Sequence, residues 1–336
     1  MNEILKIHLK GGGKEHCEDA PPLYATYKDL ALIATFDGMG GSGKQSYKLS
    51  NGDCYTGAYL SSRYTKQIIS SYFDRNKETL HSLDTNYNNI IDFINSLNFQ
   101  IKKSLTTYYN EKLTKNRKEF VASYSYKLPT TVSGCFLQNL TNESSKIISF
   151  NAGDSMTYLL SPRALVPLTT TVNRLYNTTA GISNFINLST DFELNIFKVR
   201  ITKPFIIISC SDGCFDFTGN PVFFEYLIVN NIYKSKSFVN LKRNLKKLFR
   251  AKAQDDCSLI LYSVGFKKYE NLRSIYKSRF LKLKRYANLL IKNNQNYDKL
   301  NKIYKKFIEW EKLRLIKQLG GGYYEPGEKF WENKCK

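Results

Sequence analysis

Ala31-Leu32-Ile33-Ala34-Thr35-Phe36-Asp37-Gly38-Met39-Gly40-Gly41 is the stretch on which the reading of this chain turns. A buried-strand signal of small and apolar residues ends on a carboxylate, and glycine follows at once. Glycine there lets the backbone turn sharply and brings a carbonyl close to the acid. The same design recurs. Phe205-Ile206-Ile207-Ile208-Ser209-Cys210-Ser211 ends on Asp212-Gly213, Asp255-Asp256 immediately precede the strand-like run Ser258 to Val264, and Gly153-Asp154-Ser155 lies between the runs Ile147 to Phe150 and Met156 to Leu160. Strand ends at one sheet edge are close in space however distant in sequence. Carboxylates gathered there repel one another, and burying even one uncompensated charge is costly, so a bound divalent cation is the usual remedy. All-oxygen ligation in a chain with only 3 His argues for Mg²⁺ or Mn²⁺ over Zn²⁺ or Cu²⁺.

Outward from these acids, Leu23 to Tyr27 and Ala31 to Phe36 read as a hairpin around Lys28-Asp29, and Val132 to Leu137 and the alternating Phe192 to Val199 add further strands. The first ten residues alternate like a strand too. Many short, closely spaced strands predict packed sheets rather than a doubly wound parallel sheet. Gly57 to Phe73 and Asn86 to Lys112 carry apolar residues at helical spacing and are expected to cover a sheet face. Shorter helices are expected over Phe223 to Asn230 and Phe238 to Phe249, the latter with Val239, Leu241, Leu245 and Leu248 as its apolar stripe. After Gly265 strand signals stop. Leu272, Ile275, Tyr276, Leu283, Tyr286 and Leu290 form one helical stripe, and Leu300, Ile303, Tyr304, Phe307, Trp310 and Leu313 a second, with Asn293 to Asn296 as the turn. The expected division is a domain over residues 1–265, a basic helical hairpin over 266–319, and a Gly-rich hinge with an aromatic tail over 320–336.

Composition sets the bounds. In 336 residues, 50 Lys+Arg against 29 Asp+Glu leave a charge of +21, with 42% hydrophobic residues, too apolar for a disordered chain. No apolar run approaches the ~18 residues of a membrane span, and the start lacks the zones of a signal peptide, so a cytoplasmic location without membrane contact is expected. The 7 cysteines include no CxxC pair, and Cys210 and Cys214 lack the second ligand pair of a zinc site, so reduced thiols are the reading. Residues 266–336 hold 19 Lys/Arg and 7 Asp/Glu, a net +12, against 31 and 22 in the remainder, a net +9. The basic segment is expected to be the solvated face of a hairpin packed on the core; a nucleic-acid surface is the competing reading.

Taken in order, Glu18-Asp19, Phe36-Asp37-Gly38-Met39-Gly40-Gly41, Pro129-Thr130-Thr131, Asn151-Ala152-Gly153-Asp154-Ser155, Ser211-Asp212-Gly213 and Asp255-Asp256-Cys257-Ser258 resemble the motifs of the metal-dependent serine/threonine protein phosphatases of type 2C, in their bacterial form. The resemblance spans about residues 5 to 265. It implies an α+β fold, a four-layer α/β/β/α sandwich with two central antiparallel sheets, here extended by the C-terminal helical hairpin. It implies Mn²⁺ or Mg²⁺, two ions and a third weaker site, and hydrolysis of phosphoserine and phosphothreonine on proteins by a hydroxide bridging the metals. Asp37 matches the bridging aspartate, with the Gly38 carbonyl as a further ligand. Asp212 and Asp255 match the other carboxylates of the more buried ion, Asp19 and Glu18 the acidic pair of the second, and Asp154 a ligand of the third, shared with Asp212. Asp256 competes with Asp255, which is favoured. Lys14 matches the position of a phosphate-gripping arginine, and Asp216 is read either as supporting the ligands from behind or as structural. The partner implied is a phosphorylated protein, a Ser/Thr kinase or its target.

Three departures touch efficiency and substrate preference. Met39 stands where eukaryotic members carry histidine, Lys14 grips phosphate less directionally than arginine, and Met156 replaces an arginine. Of the histidines, His8 is placed on a strand, His81 in a polar linker, and His16 near Glu18 as a weak candidate proton donor. Thr178 to Asn184 has the composition of a loop over the metal site. Two other functions stay open: a catalytically weak, phosphoprotein-sensing relative, and a nucleic-acid-binding protein that uses the basic hairpin.

Overall fold

The computed structural model describes residues 2–83, 87–115, 126–169, 184–218 and 221–292, together with Lys302. Ten of its strands form two antiparallel sheets. The first runs in the order β1 (Glu3–Leu9), β13 (Cys257–Val264), β12 (Phe205–Cys210), β9 (Met156–Leu160), β10 (Leu165–Pro167). The second runs β11 (Asn195–Thr202), β8 (Ser144–Ala152), β7 (Thr130–Asn139), β3 (Leu30–Gly38), β2 (Ala20–Tyr27). A small third sheet joins β5 (Cys54–Thr56), β4 (Ser46–Lys48) and β6 (Thr114–Lys115).

The expected hairpin is β2 and β3, with Tyr27 opposite Leu30 and Lys28 in the left-handed region at φ 52°. The alternating run begins its strand later than expected. Phe192 and Leu194 are buried beneath the helices, and pairing with β8 starts at Asn195.

Inner faces of the two sheets meet in an apolar layer that includes Ile33, Cys135, Leu159, Phe205, Ile207 and Ile260. Toward the end of the strands that carries the acids, this layer gives way to hydroxyl ties between sheets. Thr35 Oγ1 meets Ser209 Oγ at 2.8 Å, Ser133 Oγ meets Thr157 Oγ1 at 2.7 Å, and Thr131 Oγ1 meets Ser155 Oγ at 2.6 Å. Such buried pairs satisfy one another and hold the two sheet ends in fixed relation.

Helices α1 (Gly57–Ser82) and α2 (Tyr87–Lys112) cover the second sheet, burying Ile68, Ile69, Phe73, Ile94, Leu97 and Ile101 against Phe136 and Phe150. Both are amphipathic as read, but α1 runs nine residues beyond Phe73 to Ser82 because Leu80 continues its buried face. His81 therefore sits in the last turn of α1 and not in a linker; its Nε2 lies 2.5 Å from Asp29 Oδ1.

Helices α3 (Pro221–Lys234), α4 (Phe238–Lys252) and α5 (Tyr269–Lys292) cover the first sheet. The stripe expected after Gly265 is buried there: Leu272, Tyr276, Leu283 and Tyr286 join the core with Phe266 and Phe280. Tyr276 Oη donates to the Leu160 carbonyl at 2.6 Å, and Arg279 grips Glu225 of α3 through two 2.6 Å contacts between side chains that are 2% and 3% exposed. The result is a helix/sheet/sheet/helix sandwich with a helix after the last strand. The second stripe of the hairpin, its turn, and residues 320–336 lie outside the described residues.

Candidate metal centre

Each acid reaches the site from a different strand end. Asp37 and Gly38 close β3 opposite Thr131 and Thr130 of β7, and Thr130 Oγ1 donates to the Asp37 carbonyl at 2.6 Å. Asp154 follows Gly153, whose φ of 100° makes the tight β8–β9 turn; a Cβ there would meet Thr131 Cβ at 2.3 Å. Asp212 opens a short 3₁₀ turn after β12, held where the Ser211 amide donates to the Ser258 carbonyl at 2.9 Å. Gly213 is required by a close backbone approach, since a Cβ would lie 2.0 Å from the Asp256 carbonyl oxygen.

The structure brings Asp37, Asp154 and Asp212 together with one carboxylate oxygen of each within 4.8 Å of the others. They open on a cavity of about 620 Å³ whose described lining also carries Glu18, Asp255, Lys14 and the Gly38 to Ser42 turn. Five carboxylates face two ammonium groups in that lining, so the cavity is electrically negative.

Asp19 stands behind the lining rather than in it. Its side chain is 1% exposed and Oδ2 is buried without a hydrogen-bond partner among the described residues. Burial, against a hydrogen bond from Ser211 and with the charges of Asp256 and Asp212, pushes its carboxyl up to about 7. Asp37 is raised well above the ordinary range by burial first and then by Asp212 and Asp19. Carboxylates that resist ionising because they are buried and, second, because they crowd one another, one with an orphaned oxygen, fit a divalent cation with oxygen ligands. The cluster can hold one such ion.

The adjacent aspartates part company. Asp255 lines the cavity and its side chain is 57% exposed, whereas Asp256, 2% exposed, accepts the amides of Gly11 at 2.6 Å and Glu18 at 2.7 Å. Asp256 thus holds the N-terminal loop in place. Lys14 joins the same knot, its Nζ lying 2.5 Å from Asp255, 3.2 Å from Asp256 and 3.4 Å from Glu18. Partial burial alone would lower the Lys14 pKa, but the hydrogen bond to Asp255 and the charge of Asp256 raise it. Asp216 is exposed and outside the cluster, and His16 lies against Tyr55 and Tyr59 rather than in the cavity lining. His8 is on β1 with its Nε2 at 3.0 Å from the Asp19 carbonyl. The loop residues Thr178 to Ser183 lie outside the described residues.

Lys44 lines the cavity and was not singled out from the sequence. It is exposed and forms no ion pair among the described residues, yet its backbone is anchored. The amides of Ser42 and Gly43 donate to the Met39 carbonyl at 3.2 and 2.8 Å, and the Gly43 carbonyl accepts from Ala58 at the start of α1 at 3.3 Å. Gly43 leaves no room for a side chain, since a Cβ would lie 2.7 Å from Pro129 Cγ. A lysine after glycines has no local signature; the Gly-Ser-Gly run before it was the available signal.

No family model matches the sequence, and no curated protein matches it. Solved structures do. A bacterial serine phosphatase aligns with a TM-score of 0.52 at 19% identity, over 80% of this chain and 100% of that one. The Staphylococcus aureus serine/threonine phosphatase gives 0.51 at 16%, over 79% and 95%, and the S. agalactiae serine/threonine phosphatase 0.52 at 15%, over 78% and 99%. At these identities the likeness is one of fold: the chain shares the fold of these bacterial serine/threonine phosphatases and carries an aspartate cluster at one edge of its sandwich.

Proposed function

We propose that this chain is a metal-dependent phosphatase that removes phosphate from phosphoserine and phosphothreonine on proteins, reversing the work of a Ser/Thr kinase. The observation that carries the reading is the convergence of Asp37, Asp154 and Asp212 within 4.8 Å, at the edge of this fold. Residues 1–265 form the catalytic unit in this reading, and the helix after Gly265 is built onto its sheet. Asp37, the Gly38 carbonyl, Asp212 and Asp255 would hold one Mn²⁺ or Mg²⁺, Asp19 and Glu18 a second, and Asp154 with Asp212 a third and weaker one. When bound, such ions acidify water and neutralise charge on a phosphoryl group.

The chain's own residues do the rest. Asp256, fixed by two amides, holds the loop that carries Lys14 and Glu18 in register with Asp255. Lys14 ties those carboxylates together, which leaves Lys44 as the lining cation free to meet the phosphate dianion. The anchored turn beneath Lys44 places its backbone at the cavity mouth, and the exposed side chain is ordered when it meets the phosphate. No histidine is found in the described lining, so no imidazole there protonates the serine or threonine oxygen as it leaves.

A second reading, a phosphoprotein-sensing relative with weak turnover, draws support from the same knot, because Lys14 is engaged by three carboxylates. One assay separates the two. The full chain is given a phosphothreonine peptide with Mn²⁺, with and without chelator. Phosphate release that stops on chelation supports the phosphatase; peptide binding with no release on any phosphopeptide supports the sensing relative; neither binding nor release rejects both.

A further inference from the structure

Helix α4 carries the most concentrated charge among the described residues, on the side of the first sheet away from the inter-sheet layer. Phe238–Lys252 contains Lys242, Arg243, Lys246, Lys247, Arg250 and Lys252 and no acid. Counting charge by segment hides this, because the excess of the first 265 residues looks modest when averaged over their length. Leu241, Leu245 and Phe249 are buried against the core, which fixes the roll of the helix. At 100° per residue, Lys242 through Arg250 then occupy an outward arc of about 140°. Val239, expected in the apolar stripe, lies in the middle of that arc instead and is 78% exposed. The first five cations and Val239 lie together on one open surface patch.

This face is not an ordinary solvated one. Lys242/Lys246, Arg243/Lys247 and Lys246/Arg250 are like-charge pairs at i,i+4, each unfavourable by roughly 0.2–0.5 kcal/mol. A solvated helix face usually interleaves acids, and here none of the five forms an ion pair among the described residues. Charge complementarity therefore calls for an anionic occupant. The face has no aromatic side chain on which an unpaired base could stack, which argues against a single strand. It also lacks the aromatic anchors of a protein interface. The helix spends its apolar stripe on the core, so only Val239 remains to enter a lipid surface, too little for an interfacial helix. What remains is a polyanion of regular phosphate spacing. The two rows of cations repeat at about 6 Å along the helix, four residues at ~1.5 Å rise each.

We propose that this face of α4 binds duplex DNA through its phosphates, without reading sequence. The site is separate from the acidic cavity, and the proposal does not rest on the phosphatase reading.

The test uses the full chain and a fluorescein-labelled 20-base-pair duplex of arbitrary sequence, with anisotropy read between 50 and 200 mM salt. Engagement of five phosphates, one for each cation of the face, predicts a log–log slope near −4.5, and hence a loss of affinity of about 500-fold across that range. Arg243→Gln/Lys247→Gln/Arg250→Gln should reduce the slope by about 2.7 and weaken binding by roughly tenfold or more at 100 mM salt. A second variant, Lys242→Gln/Lys246→Gln, guards against a folding defect in the first and should reduce the slope by about 1.8. No duplex binding at 50 mM salt overturns the proposal. So does binding with an unaltered slope in both variants, which would place the contact beyond α4. Preference for single-stranded RNA, for an acidic peptide or for phosphatidylserine vesicles over the duplex overturns it as well.

Discussion

Replacing Asp19 by asparagine should make the metal-free protein more stable at alkaline pH. The carboxyl is 1% exposed, Oδ2 has no hydrogen-bond partner among the described residues, and burial, opposed by Ser211 and reinforced by Asp256 and Asp212, lifts it from 3.8 to about 7. Because the folded state holds this proton more tightly than the unfolded chain, ionisation destabilises the fold. The penalty is absent below about pH 4, grows between the unfolded and folded values, and is complete above about pH 7. A shift of roughly three units at 1.36 kcal/mol each sets it near 4 kcal/mol. Asp19→Asn removes the charge and keeps the size; the hydrogen bonds from Ser211 and Ser258, which favour the charged form, are already counted in the raised value. The gain at pH 8 is therefore of the order of that penalty, about 4 kcal/mol, a rise in Tm of several degrees. At pH 4, where the carboxyl is already neutral, the variant and the natural protein should differ little. Differential scanning calorimetry in chelator at both pH values reads this directly, and added Mn²⁺ should stabilise the natural protein more than the variant. A variant less stable than the natural protein at both pH values would refute the claim that this acid is electrostatically strained.

Other consequences are as direct. Arg279→Met removes the guanidinium that grips the buried Glu225 carboxylate and should cost about 3–5 kcal/mol in denaturant unfolding, whereas Arg279→Met/Glu225→Leu should recover most of it. Lys44→Met should raise KM for a phosphopeptide by roughly tenfold, the worth of one charge-assisted contact of about 1.4 kcal/mol. Lys44→Arg should largely restore it, while Lys14→Met should weaken divalent-ion affinity and thermal stability together. A chain ending at Gly265 loses Phe266, Leu272, Tyr276 and Leu283 from the core over the first sheet and should be insoluble or molten by near-UV circular dichroism.

The acids were legible because a strand running into Asp-Gly is a local pattern, and strand ends on one edge converge by topology alone. Asp37, Asp154 and Asp212 needed no knowledge of distant contacts. The choice between Asp255 and Asp256 did, since neighbours in sequence point to opposite sides; only the amides of Gly11 and Glu18 mark which one faces inward. Lys44 escaped notice because its placement comes from hydrogen bonds to Met39 and Ala58, and no spacing encodes those. Val239 was misread for a related reason. Helical periodicity identifies a stripe, but one apolar residue at the wrong phase is excluded only when the roll of the helix is known. His81 looked like linker because polar residues precede it, and Leu80 beneath it outweighed them.

The central claim is that the clustered aspartates bind catalytic divalent ions. Its most direct measurement is Mn²⁺ stoichiometry by equilibrium dialysis, taken alongside phosphate release from a phosphothreonine peptide, for the natural chain and for Asp37→Asn/Asp212→Asn. The account predicts at least two ions per natural chain, Mn²⁺-dependent release, and loss of both in the double variant with the fold retained by circular dichroism. Release that persists in the double variant, or that needs no divalent ion, would contradict it.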